Sequence, residues 1–196
     1  MTLSIRLKAL FVLAAVLVLF GARPSAAQQN RSISVGVNYT YMRTNVVPDC
    51  NCFGLQGGGA EFQYRFRPRL ALLADLTATH SGGITANHYD LTQVTYAGGL
   101  RYFPPGPSKH LRLFADVLLG GAHASGSLSP DKTGFGGANA FSFQTGGGLS
   151  IPLASRWTLV PARAEYLLTT FSNGKNDHQN DLRISAGVRF RLGHFR

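Results

Sequence analysis

Cysteine is almost absent from this sequence, and that limits the chemistry available to it. Cys50 and Cys52 are the only two, one residue apart in a segment without histidine. A zinc-type site needs more ligands than this segment offers. A local disulfide between Cys50 and Cys52, strained by the short ring, and a pair of free thiols both stay open, and no metal site is expected. Acids are scarce, nine Asp and Glu against 19 Lys and Arg, and charged residues make up only 14% of the chain. Long apolar runs are missing too. After residue 20 nothing approaches the ~18 apolar residues of a helical membrane span.

One short apolar run is present, at the start. Arg6 and Lys8 precede Ala9 to Phe20, and Gly21, Pro24 and Ser25-Ala26-Ala27 follow. This is the layout of a cleaved export signal over residues 1–27, leaving one domain over 28–196. The signal carries Arg6, Lys8 and Arg23, so the formal charge falls from +10 to +7 on cleavage. A basic balance can signify nucleic acid. Here the arginines alternate along strands instead of clustering on a helix, and an exported chain rarely meets nucleic acid, so no such partner is expected.

What the chain has in abundance is period-two alternation. In the last stretch Leu182, Ile184, Ala186, Val188, Phe190 and Leu192 interleave with Arg183, Ser185, Gly187, Arg189, Arg191 and Gly193. Side chains alternate across a strand, so one face is apolar and the other carries three arginines. The pattern recurs about eight times, near residues 32–42, 55–66, 70–79, 91–103, 111–119, 140–151, 157–168 and 182–192. Tight turns at Arg67-Pro68-Arg69, 104–110 and 152–156 alternate with polar loops at 43–53, 80–90, 125–139 and 170–180. Pro161 interrupts the seventh strand and cannot donate to a ladder, which predicts a bulge or a locally open pair near the periplasmic rim.

Alternation alone does not say which face is inside. A soluble lipocalin-like ligand-binding barrel in the periplasm would put the apolar face inward. It would also put Arg or Glu outward on every strand, and 14% charged residues is too little for such a surface. The expected fold is therefore an all-β, eight-stranded antiparallel up-and-down transmembrane β-barrel, with lipid outside and charges inside. An arginine facing lipid at mid-membrane costs about 2–4 kcal/mol, which sets the register.

The lumenal charges expected on this register are Glu61, Asp75, Asp116 and Glu165 with Arg65, Arg101, Arg112, Arg163, Arg183, Arg189 and Arg191. Eight strands leave an interior filled by side chains, so these charges must pair. Leu73, Phe114 and Leu118 also face inward, and Val160 is assigned to the lipid face. Gly146, Gly148 and Gly187 are read as leaving room for the long arginines. Trp157, Tyr102, Phe66 and Phe190 near the short turns, and Tyr41, Phe141 and Tyr166 near the long loops, suit two interfacial girdles.

On these features the chain resembles the small eight-stranded outer-membrane barrels of the OmpA-barrel and OmpX-like superfamily, over nearly all of residues 31–195. The segment Gly187-Val188-Arg189-Phe190-Arg191-Leu192 is similar to the terminal strand that barrel-assembly machinery reads in that group. The resemblance implies an integral outer-membrane protein of a Gram-negative-type envelope. Its partners would be outer-membrane lipid, the assembly machinery during biogenesis and an unidentified extracellular ligand. Neither cofactor nor catalytic residues are implied. The outer-membrane lipid A deacylases carry His-x-Ser-Asn on a late strand, whereas Thr170-Phe171-Ser172-Asn173 lacks the histidine. A lipid-modifying hydrolase would thus have no base to activate its serine.

Overall fold

The computed structural model describes residues 31–44, 53–84, 88–105, 108, 110–128, 133–172 and 177–195. The export signal and the Cys50–Cys52 pair lie outside the described residues. The rest forms eight strands: β1 (Arg31–Thr44), β2 (Phe53–Arg67), β3 (Leu70–Ile84), β4 (Tyr89–Tyr102), β5 (Arg112–Leu128), β6 (Thr133–Pro152), β7 (Trp157–Thr169) and β8 (Gln179–Phe195). Each is antiparallel to its chain neighbour, and β1 pairs with β8, so the sheet closes with no free edge. Closure matters in lipid, where an unpaired backbone amide has no water to bond.

The alternation is realised strand by strand. Val37, Leu76, Val117, Leu119 and Ile184 point outward and are about half exposed, while Gln93, Arg101, Gln144 and Arg183 inside are no more than 2% exposed. This is the reverse of a soluble ligand-binding barrel. Leu73, Phe114 and Leu118 are buried inside the barrel as the register requires. Outward aromatics fall at two levels. Trp157 and Phe190 meet near the short turns, ring centres 4.9 Å apart and planes tilted by 58°, and Tyr41, Phe141 and Tyr166 sit toward the other end.

Two sequence expectations are corrected. First, Val160 faces inward at 8% exposure, packed with Ala71, Phe103 and Phe114. Pro161 is the cause. On the β8 side Pro161 and Ala162 oppose Ala186 alone, and on the β6 side Val160 and Pro161 oppose Ser150 alone. Two residues against one make a bulge, which resets the phase so that Val160 and Arg163 share a face. Second, the polar loops are shorter than their composition suggested. β3 runs on to Ile84, β5 to Leu128, and β6 begins at Thr133. These extensions are rich in Gly and Ser and need no lipid, yet they continue the ladder, with bulges at Ser81/Ile84 and Ser125/Gly126.

The extensions leave the apolar band at a definite height. One polar outward cross-strand pair sits on each hairpin of the long-loop end. Tyr39 donates to Gln56 at 2.6 Å. His80 meets Thr92 at 2.9 Å and His123 meets Asn139 at 2.8 Å. Tyr166 hydrogen-bonds Asn180. Polar pairs of this kind mark the level where hydrocarbon gives way to headgroups.

Candidate functional site

The lumen is where the described acids and arginines converge, and the strand register puts them there. Arg101 lies directly across from Asp116, and Glu165 from Arg183. Glu61 is in register with Asp75. On β1, Gly36 stands between Glu61 of β2 and Arg189 of β8. A side chain at Gly36 would put its Cβ 2.8 Å from the Glu61 Cγ, so the glycine keeps open the path from Glu61 to Arg189.

The resulting contacts form one cluster. Arg101 Nε reaches Asp116 Oδ1 at 2.7 Å, and its Nη2 reaches Glu61 Oε2 at 3.1 Å. Arg163 contacts all four acids: Glu165 at 2.6 Å, Asp75 at 3.0 Å, Asp116 at 3.1 Å and Glu61 at 3.8 Å. Arg183 reaches Glu165 at 2.7 Å and Asp75 at 3.1 Å. Arg189 Nε sits 2.5 Å from Glu61 Oε1. Four acids and four arginines leave this core formally neutral. Desolvating such a set costs several kcal/mol per ion, so mutual pairing is the condition for burying it at all. The Arg101 guanidinium also lies 4.2 Å from the centre of the Phe114 ring, a cation–π contact.

Neutral polar groups complete the cluster, and the charge pattern did not point to them. Arg183 donates to Gln144 Oε1 at 2.8 Å and to Thr77 Oγ1 at 3.1 Å. Arg101 donates to Gln63 Oε1 at 3.2 Å. Their inward phase on each strand was the available signal. The glycines do a different job from the one expected of them. A Cβ at Gly146 would meet the Ala164 carbonyl oxygen at 2.2 Å and the Glu165 Cα at 2.6 Å. The space is taken by the neighbouring backbone, not by an arginine.

Arg65, Arg112 and Arg191 are not part of the cluster. They line the short-turn mouth, with Arg112 exposed and Arg65 and Arg191 half-buried. At the opposite mouth Met42, Leu55, Ile84, Leu91, Leu167 and Phe171 form an apolar cap inside the barrel. Asp181 is buried beside it and was missed because the last strand, read from Leu182, begins at Gln179. It lies two residues from Arg183, hence on the same face. Outward Arg43 is in register with Leu182, so the apolar band ends there and Asp181 lies beyond it. Burial pushes the Asp181 carboxyl up to about 6, and the nearby Thr44 hydroxyl offsets this only in part.

Another concavity lies on the outside. It measures about 470 Å³ and is lined by Val35, Val37, Phe62, Leu76, Trp157 and Val188 among others. Its lining is chiefly that of the lipid-facing band; Glu61 and Asp75, which also border it, are engaged by arginines of the lumenal cluster.

The same architecture is known in solved structures. Ail, the attachment invasion locus protein of Yersinia pestis, superposes with a TM-score of 0.59 at 14% identity, over 83% of this chain and 99% of Ail. A second Ail structure, in complex with the heparin analogue sucrose octasulfate, gives 0.59 at 15% identity, over 83% of this chain and 99% of that one. Neisserial surface protein A gives 0.65 at 15% identity, over 81% of this chain and 96% of that one. No curated protein matches the sequence. A model of the outer membrane protein beta-barrel domain matches residues 12–190. Closed eight-stranded topology, outward apolar band and buried charges agree with that match, and the chain belongs to the outer membrane protein beta-barrel domain family and resides in the outer membrane.

Proposed function

We propose that this barrel is non-catalytic and that its outer hairpins are its working surface, serving adhesion or envelope structure. The observation that carries this reading is the continuation of paired strands, β5 and β6 above all, past the ring of polar pairs that ends the lipid-facing band. The lumen serves as scaffold: its four carboxylates are each engaged by at least two guanidiniums. Thr170, which stands where a deacylase base would be, accepts a hydrogen bond from the Phe141 amide at 3.0 Å, a structural task. In family barrels the short turns face the periplasm, so the hairpins face outside. Lipid covers the apolar band, barrel-assembly machinery inserts the chain, and neither nucleic acid nor metal enters this reading.

The kind of extracellular ligand follows from charge. Ail has been seen with an anionic saccharide analogue. Here the outer segments carry Arg43, Lys132 and Lys175 against Asp49, Asp90, Asp131 and Asp177. Nothing in that balance selects a polyanion, so a neutral glycan or protein surface is the better fit. The test is adherence of whole cells expressing the barrel with residues 126–136 replaced by a two-residue Asn-Gly turn. Heat-modifiable gel mobility checks that the barrel still folds. Adherence and detergent resistance both equal to those with the intact barrel would overturn the proposal; loss of either supports it.

A second expectation concerns conduction. The charged cluster fills the middle of the lumen and the apolar cap closes its outer mouth, so no water column crosses. In planar bilayers the barrel should give at most small, irregular currents. A stable, porin-sized conductance would mean that the cluster or the cap opens.

A further inference from the structure

The bases and acids of this chain are sorted by height. Among the described residues every acid lies in the outer segments or in the lumenal cluster. Among the described residues the short-turn end holds Arg31, Arg65, Arg67, Arg69, Arg112, Arg156 and Arg191 and no acid. The cluster is neutral by itself, so it offers this end no compensating charge.

At that end the barrel opens into a small polar recess of about 30 Å³. It is lined by Arg65, Arg112, Arg189 and Arg191 together with Ser32, Ser34, Ser150 and Thr158. Two of these arginines are held in place. The Arg65 guanidinium lies 3.9 Å from the Phe103 ring centre, and Arg189 Nε is fixed by Glu61. Among the described residues both keep a buried donor with no hydrogen-bond acceptor: Nε of Arg65 and Nη2 of Arg189, the latter on a side chain 6% exposed. A buried donor left unmade is costly, and a fork of guanidinium donors matches the oxygens of a phosphate.

We infer that the short-turn mouth is a phosphate-binding site, with Arg65 and Arg112 as its cationic wall and Arg189 Nη2 and the serine and threonine hydroxyls as further donors. On the family orientation it opens to the periplasm. Its occupant is a phosphate group, either free or on the headgroup of an inner-leaflet phospholipid. This site is independent of the outer hairpins, and shortening them leaves it unchanged.

The test uses the mature protein refolded in a non-ionic detergent and titrated calorimetrically with inorganic phosphate at constant ionic strength. The double variant R65Q/R112Q is expected to bind at least tenfold more weakly. R67Q/R69Q, which removes as much charge from an exposed turn, is expected to bind within twofold of the parent. Heat-modifiable mobility verifies folding of both. Repeating the titration in phosphatidylcholine nanodiscs with and without phosphatidylglycerol separates the sources. A tenfold loss of phosphate affinity on adding phosphatidylglycerol assigns the site to a lipid headgroup, and no loss assigns it to the free ion. Equal affinities for the two double variants, or phosphate binding no tighter than chloride, would overturn the inference.

Discussion

Arg163→Ala is expected to destabilise the folded barrel by about 3–5 kcal/mol, the cost of leaving buried charges without their partner. Arg163 is the only arginine in the described cluster that contacts all four acids, between 2.6 and 3.8 Å. Its loss leaves four carboxylates against three guanidiniums in a space closed to bulk water. Asp116→Ala should cost less, about 2–4 kcal/mol, because Arg101 keeps Glu61 and Arg163 keeps three acids. Asp177→Ala, at an exposed position, should change stability by less than about 0.5 kcal/mol. Urea midpoints in one detergent rank the three. Adding Glu165→Gln to Arg163→Ala should recover part of the loss, since it removes one of the orphaned acids. Equal midpoints for Arg163→Ala and Asp177→Ala would mean that the cluster is wet and its pairs are weak.

Asp181→Asn should do the opposite and stabilise the protein at neutral pH. Burial raises this carboxyl from 3.8 to about 6, so the folded state holds the proton more tightly than the unfolded state. The penalty is absent below the unfolded value. It develops as pH rises through the window from 3.8 to about 6 and is complete above it. Two pKa units amount to about 3 kcal/mol, and a partly wet mouth reduces that to roughly 2. The parent should therefore lose stability between pH 4 and pH 7 relative to the variant, and the two curves should converge at low pH. Curves that run parallel would show that Asp181 is solvated in the folded state.

The sequence carried the inside-out orientation because two independent patterns agreed on it: alternation, and charges too few to coat an outer surface. All eight strands were visible for the same reason. Val160 was misplaced because a bulge shifts phase by one residue, and Pro161 announced the bulge without saying which neighbours it would flip. Loop lengths were overestimated because Gly-Ser stretches at 125–128 and 133–139 look like loops yet pair as strands once a hairpin is nucleated below them. Asp181 was hidden because the last strand, read from Leu182, begins at Gln179. Cross-barrel partners such as Arg163 and Asp75 depend on shear, which no single strand encodes.

The central claim is that the apolar faces meet lipid and the arginines meet one another. Trp157 is the single tryptophan, so a Trp157→Phe background is dark. Val117→Trp in that background places one fluorophore mid-way along the outward set of β5, at a position 52% exposed. The measurement is its quenching after folding into bilayers brominated at either a shallow or a deep acyl position. Stronger quenching by the deep bromines is the predicted result. Quenching by aqueous iodide with no response to either bromine position would contradict the account.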